Sequence, residues 1–238
     1  MDEPSTDGRW LRRRWPVIGV GVLTVISVLA TAWWFLWVPN WRPPLHQGER
    51  YGIDVSAHQG RIDWRRVADD DIGFAYIKAT EGSDFVDERF RDNWNDADAA
   101  GIARGAYHFL TLCTPAADQA RNFLTVAPPT ANALAPSVDL ELAGNCRQRP
   151  DALATAGVVD EFVRIVEAAW GRNVVLYIGR DFEARYPTRQ RLARPLWHRR
   201  FLIRPNVTGW TIWQVHGHAR VDGVSGQVDL DVMRQPAA

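Results

Sequence analysis

Cysteine is scarce in this chain of 238 residues, with only Cys113 and Cys146, and methionine is equally rare. Neither cysteine has a histidine or a further thiol at metal-ligand spacing, so no metal site is expected. An excess of charge of one sign is also missing. Lys plus Arg and Asp plus Glu number 28 each, and the basic residues are scattered rather than clustered with aromatics, so nucleic acid is not an expected partner. No Gly-rich phosphate loop follows the first strand-like run, which argues against an open doubly wound sheet, and no cofactor is expected. Internal repeats and low-complexity tracts are absent.

What is plentiful is tryptophan. Six of the twelve lie between Trp10 and Trp41 and six in the later part of the chain. No charged residue occurs from Trp15 to Trp41, and the apolar run 17–38 is long enough to cross about 30 Å of hydrocarbon as a helix. Arg9, Arg12, Arg13 and Arg14 precede it, and Trp10 and Trp15 at one end with Trp33, Trp34, Trp37 and Trp41 at the other fit aromatic belts at the two interfaces. The expected organisation is a cytoplasmic basic tail over 1–14, a transmembrane signal-anchor helix over 15–38, a linker over 39–50 stiffened by Pro39, Pro43 and Pro44, and an exported domain over 51–238. A cleaved signal peptide is the alternative, although the run is long for one and ends in bulky Trp rather than small residues. In an exported domain the two cysteines are either a disulfide or a pair of free thiols.

Beyond Tyr51 strand-like runs alternate with helical stretches. The strands read as 51–56, 74–79, 102–110, 133–142 and 173–179, followed by PLWHRRF, WTIWQV and QVDLDVM with little helix between them. Helices are expected after Asp63, after Asp87, from Thr114 with Pro115 at the first position, and from Ala152 to Trp170 with a stop at Gly171. Eight strands in this alternation imply an α/β fold, a TIM-like (β/α) barrel whose later helices are reduced.

Polar residues near the strand ends then converge on one rim: Asp54, Glu81, His108, Asp139, Glu141, Tyr177, Trp197, Gln214 and Asp229. Asp139 and Glu141 are two apart on a strand, so they share a face at roughly 6 to 7 Å along the chain, a spacing suited to a glycosidase carboxyl pair. Glu141 is the expected general acid, its pKa raised by burial and a neighbouring charge. Asp139 is expected to stay ionised and to activate water, stabilise an oxocarbenium-like centre or orient a substrate acetamido group. Each has a plainer reading as well: Asp54 and Asp229 as loop anchors, His108 as a satisfied barrel histidine, Tyr177 and Trp197 as core, and Asp231 as part of a charged solvent face.

At this level of detail the domain resembles glycoside hydrolase family 25, the 1,4-β-N-acetylmuramidases. GIDVSAHQGRIDW, YIKATEGSDFVD, GAYHFL, VDLE, and WTIWQV with GVSGQVDLD resemble the family's motifs in order across Tyr51 to Met233. The resemblance implies cleavage of the bond from N-acetylmuramic acid to N-acetylglucosamine, with Asp54, Asp139, Glu141 and Asp229 as the matching acids and Glu141 as proton donor. Tyr107, Tyr177, Trp197 and Gln214 match its cleft lining, with Glu81 and His108 beside them as substrate contacts. Two departures stand out: Asp71 where the family usually has Gly, and HRRF after Trp197 in place of a small residue and Tyr. The expected partners are peptidoglycan strands and, through the anchor, a membrane; the chain is expected to be monomeric. Another glycosidase activity, such as a chitinase, or a non-catalytic glycan-binding module remains the alternative.

Overall fold

The computed structural model describes residues 9–234, with side chains from Gly19 onward, and the chain divides into two compact units at Arg42. The first contains helix α1 (Arg9–Trp37) and a 3-10 turn, Val38–Asn40. Its stretch Gly19–Asn40 has a mean hydropathy of 1.9, and 22 residues at 1.5 Å each give roughly 33 Å. That suffices for a membrane span and equally for a signal sequence. Trp33, Trp37 and Trp41 recur at four-residue spacing; Trp33 stacks on Trp37 with centroids 4.8 Å apart, and Trp41 lies tilted against Trp37 at 5.6 Å. Of the basic tail expected over 1–14, residues 1–8 lie outside the described residues, as do 235–238 and the side chains of Arg9, Trp10, Arg12, Arg13, Arg14 and Trp15.

The second unit is a barrel. Its strands are β1 (Glu49–Val55), β2 (Ile72–Glu81), β3 (Phe85–Val86), β4 (Ala103–Phe109), β5 (Ser137–Leu140), β6 (Val175–Ile178), β7 (Leu196–Arg199), β8 (Trp210–Ala219) and β9 (Val228–Arg234). Eight of them close in the order β1, β2, β4, β5, β6, β7, β8, β9, with β9 returning to β1; β3 is a short hairpin arm on the end of β2. Neighbours from β1 to β8 run parallel, but β9 is antiparallel to both β8 and β1. The reason is connection length: the segment 220–227 makes a hairpin and is too short for a crossover. The start of β9 therefore lies at the rim where the other strands end.

Helices α2 (Trp64–Asp69), α3 (Phe90–Ala99), α4 (Ala116–Val126) and α5 (Ala152–Trp170) follow the early strands, and only the short α6 (Arg180–Arg185) and α7 (Arg189–Leu192) follow β6. The later helices are reduced, as the sequence implies. Asp63 caps α2 by accepting from the Arg66 amide, Asp151 caps α5, and Gly171 ends α5 in the left-handed region. Two expected caps differ. Asp87 accepts from the Arg89 and Ala57 amides, fastening the loop after β1, and α3 begins at Phe90. Pro115 is itself the residue before α4, and the Thr114 hydroxyl accepts from Thr111 instead of capping.

Alternation along the strands divides the core in two. Phe74, Tyr76, Val175, Tyr177, Trp197, Ile212 and Met233 fill the barrel, while residues such as Val55, Ile77 and Leu140 are buried beneath the helices. Gly52 and Gly105 make room inside, since a Cβ on either would collide with the rings of Phe74 and Tyr76 respectively. Residues 43–48, expected as linker, belong to this unit. Tyr51 donates to the Pro43 carbonyl at 2.6 Å, Arg204 to the Pro44 carbonyl at 2.7 Å, and the buried Glu49 carboxylate pairs with Arg204 at 2.6 Å.

Candidate active site

Asp54, Tyr107, Asp139, Glu141, Tyr177, Trp197, Arg199, Gln214 and Asp229 line one cleft of about 250 Å³ at the mouth of the barrel. At about 30 Å³ per water that is the room of some eight waters, which suits a single sugar ring. The strand register explains the convergence. Asp54 near the end of β1 pairs with Asp229 near the start of β9, and Asp139 near the end of β5 pairs with Tyr177 on β6. Glu141 follows β5 directly. Gly217 on β8 leaves space for Asp229, because a Cβ there would lie 2.8 Å from the carboxylate; Gly179 does the same for Glu141, whose Cγ would lie 3.2 Å from a Cβ at that position.

A hydrogen-bonded chain runs beneath these acids. Tyr177 donates to Gln214 Oε1 at 3.0 Å, and Gln214 Nε2 donates to Asp54 at 2.8 Å. Trp197 Nε1 donates to Asp231 at 2.8 Å, and the other oxygen of that carboxyl, Oδ2, is buried with no hydrogen-bond partner among the described residues. Tyr177 also lies 3.4 Å from Glu141 Oε1. The Tyr177 hydroxyl thus has two acceptors in reach, Gln214 at 3.0 Å and, more loosely, Glu141.

Every acid in the cluster is pushed toward its neutral form. Burial raises Glu141 first, Asp181 and Asp229 add to it, and Arg199 at 3.9 Å and Tyr177 oppose it. Asp139 rises well above the usual range through burial and then through Glu141 and Asp54, with Lys78 opposing. Asp54 and Asp231 rise through burial and neighbouring carboxyls, and Asp229 through burial. Burial thus pushes Asp139, as well as Glu141, toward its neutral form. Its Oδ1 is buried and has no hydrogen-bond partner among the described residues.

Two expected contacts lie apart from the cleft lining. His108 is one residue out of phase with Tyr107, so it points outward, fully buried, and stacks on Phe162 with centroids 4.7 Å apart. Its Nδ1 accepts from Thr80 at 2.7 Å and its Nε2 donates to Gln119 at 3.2 Å, while burial holds its pKa down at about 3. It is the satisfied barrel histidine. Glu81 sits at the rim, bound to Lys78 at 2.7 Å. Asp231 is not on a solvent face: it is fully buried beside Asp54. Arg199 and Lys78 are the residues that sequence reasoning passed over, and Asp231 the one it placed on the wrong face. Asp231 was legible in principle, because it shares the inward parity of Asp229. Cys113 and Cys146 form a disulfide, Cα to Cα 6.2 Å, between the loops that follow β4 and Glu141. Among the described residues no His, Cys, Asp and Glu cluster suited to a metal is present.

Residues 53–224 match the sequence model of Glycosyl hydrolases family 25. Lysozyme M1 of Streptomyces globisporus is 32% identical over 207 residues, covering 79% of this chain and 68% of that one. The protein YegX of Escherichia coli K12 is 35% identical over 190 residues, covering 76% and 68%. Among solved structures, a family 25 glycosyl hydrolase from Bacillus anthracis superposes with a TM-score of 0.74 at 29% identity, covering 82% of this chain and 93% of that one. A bacterial lysozyme from Streptomyces coelicolor gives 0.70 at 29%, covering 81% and 95%.

Proposed function

From the premise that the chain belongs to glycosyl hydrolases family 25, we propose that Glu141 is the proton donor of its cleft and that Asp54, Asp139 and Asp229 assist it. The protein is a peptidoglycan hydrolase of the lysozyme, or muramidase, class, cleaving the β-1,4 bond between N-acetylmuramic acid and N-acetylglucosamine. The observation that carries the assignment of roles is the gathering of four raised carboxyls in one cleft, with Glu141 the most open of the network that Tyr177 and Gln214 tie together. A general acid must hold its proton near neutral pH and reach the leaving oxygen. Glu141 suits both needs best of the four, its pKa raised by burial and its side chain still about a quarter exposed.

Asp139 has the other role. Its buried, unpartnered Oδ1 suits the N–H of a substrate acetamido group, which it would turn toward the anomeric carbon as positive charge develops. Tyr107, Tyr177 and Trp197 offer ring faces and a hydroxyl to the sugar. The apolar helix α1 we read as an uncleaved single-pass anchor with its amino terminus in the cytoplasm and the barrel outside, where the disulfide is stable. Anchoring suits local remodelling of the producer's own wall.

The test is muropeptide release from purified peptidoglycan by the full chain in detergent, wild type beside Glu141→Gln. We expect products ending in reducing muramic acid, and a fall of about 10² to 10⁴ in rate for the variant. Release of N-acetylglucosamine ends, or cleavage of chitin in preference, would point to another glycosidase; binding without release by a folded wild type would point to a glycan-binding module.

A further inference from the structure

Past Glu141 the cleft opens into a second depression of about 1140 Å³, bounded by α6, α7 and the segment after β7. Glu141 and Arg199 line both, so a glycan in the first continues into the second. Four arginines face three acids there, and the pairing decides which charges remain. Arg189 is bound to Glu183 at 3.2 Å, Arg199 lies 3.9 Å from Glu141, and Asp181 accepts from the Phe182 amide at 2.9 Å. Arg180 and Arg200 have no carboxylate at ion-pair distance among the described residues.

Arg200 is fixed without being neutralised. Its guanidinium donates to the Arg204 carbonyl at 3.3 Å and to Asn206 Oδ1 at 2.8 Å, while its backbone amide donates to Gln214 at 3.1 Å. The half-buried His198 between these arginines is held below its ordinary pKa by burial and then by Arg189, Arg200 and Arg180. Phe201, 44% exposed, adds an apolar face to the same wall. A preorganised guanidinium on a partly enclosed wall is a strong and directional donor to a carboxylate.

We propose that this depression is a subsite in which Arg180 and Arg200 hold a carboxylate carried by the glycan, that of a muramic acid's lactyl group or of its stem peptide. The inference rests on the peptidoglycan reading above and deepens it. Its position beside Glu141 places the carboxylate on a sugar adjoining the scissile bond. HRRF, the stretch after Trp197 that departs from the family pattern, supplies His198, Arg199, Arg200 and Phe201.

Binding is measured by calorimetry on the full chain in detergent, in the Glu141→Gln background that keeps the strands intact. The ligands are chitotetraose, glycan fragments with intact stem peptides, and the same fragments stripped of peptide by an amidase to expose the lactyl carboxylate. At least one anionic fragment is expected to bind about tenfold more tightly than chitotetraose, and whichever does so identifies the source of the carboxylate. That advantage is expected to fall to about twofold in R180Q/R200Q and to return in large part in R180K/R200K. If the double variant does not fold, R180Q alone, on an exposed side chain, is expected to lose part of the advantage. Equal affinity for neutral and anionic fragments, or an advantage indifferent to these substitutions, overturns the proposal. Because binding is read without turnover, a wild type that binds anionic strands but never cleaves them would count against the hydrolase roles and not against the subsite.

Discussion

Asp231 shows how much a single buried acid can govern. It is fully enclosed, receives the Trp197 indole N–H, and feels the Asp54 carboxyl nearby, so its neutral form is favoured in the folded chain. A carboxyl whose pKa is higher in the folded state stabilises the fold below its unfolded pKa, near 4, and that stability is lost as pH rises through the folded pKa. The same sign applies to Asp54, Asp139, Glu141 and Asp229, whereas Glu49 and Glu167, lowered by Arg204 and Arg194, lose their contribution only as pH falls below about 4. Thermal stability should therefore be higher at pH 5 than at pH 8. Asp231→Asn keeps an acceptor for Trp197 without a proton to lose. Its melting temperature should change less across that range than the wild type's, by about 2 to 4 °C for each kcal/mol of linkage removed. Melting curves of the two proteins at pH 5 and pH 8 check this, and equal slopes would count against a proton held at Asp231.

Among the elements, the ends of strands and helices matter most. Helix α2 stops in a turn whose Asp71 adopts a φ of 60°, a left-handed conformation in which glycine is at ease and aspartate is tolerated at some cost. This is the physical content of the departure from Gly noted in the sequence. The loop after β5 is fastened twice. Asn145 Oδ1 accepts from Leu112 at 2.9 Å, its Nδ2 donates to the carbonyls of Leu110 and Glu141 at 2.8 and 3.0 Å, and the disulfide closes the neighbouring position. Closing a span of 33 residues restricts the unfolded chain, and losing it costs roughly 3 to 4 kcal/mol on the chain-entropy account. Cys113→Ala with Cys146→Ala should thus lower the urea midpoint markedly. Muropeptide release under native conditions should fall less, because Asn145 still holds the backbone of Glu141.

For the whole molecule, the barrel, its reduced later helices and the ring of acids were legible because strand ends in a closed sheet must converge. The four cleft acids and Tyr107, Tyr177, Trp197 and Gln214 follow from parity along the strands and from the family motifs. Parity also separates His108 from the cleft, a distinction that needs the strand's exact phase. The bulge between Lys78 and Thr80 hides the phase at the end of β2, and with it the place of Glu81. The reversal of β9, Arg199 and the charge balance beyond Glu141 depend on a hairpin and on pairing between distant segments, which no local pattern encodes. Localisation is testable at this scale as well. If α1 is an uncleaved anchor, the full-length chain should sediment with membranes and resist extraction at alkaline pH, and protease added outside the cytoplasmic membrane should remove the barrel; a shorter chain free in the medium would mean cleavage.

The grip on Pro43 and Pro44 has a mechanical side. Tension on the chain at Arg42 would reach the barrel first through the Tyr51 and Arg204 hydrogen bonds and the Arg204–Glu49 ion pair, and then along β1, which is laddered to β2 on one side and β9 on the other. A strand pulled along its own axis between two neighbours must shear many hydrogen bonds together, whereas one peeled from an edge loses them singly. If α1 is an uncleaved anchor, the point at which the chain enters the barrel would let the enzyme bear a load applied through that helix.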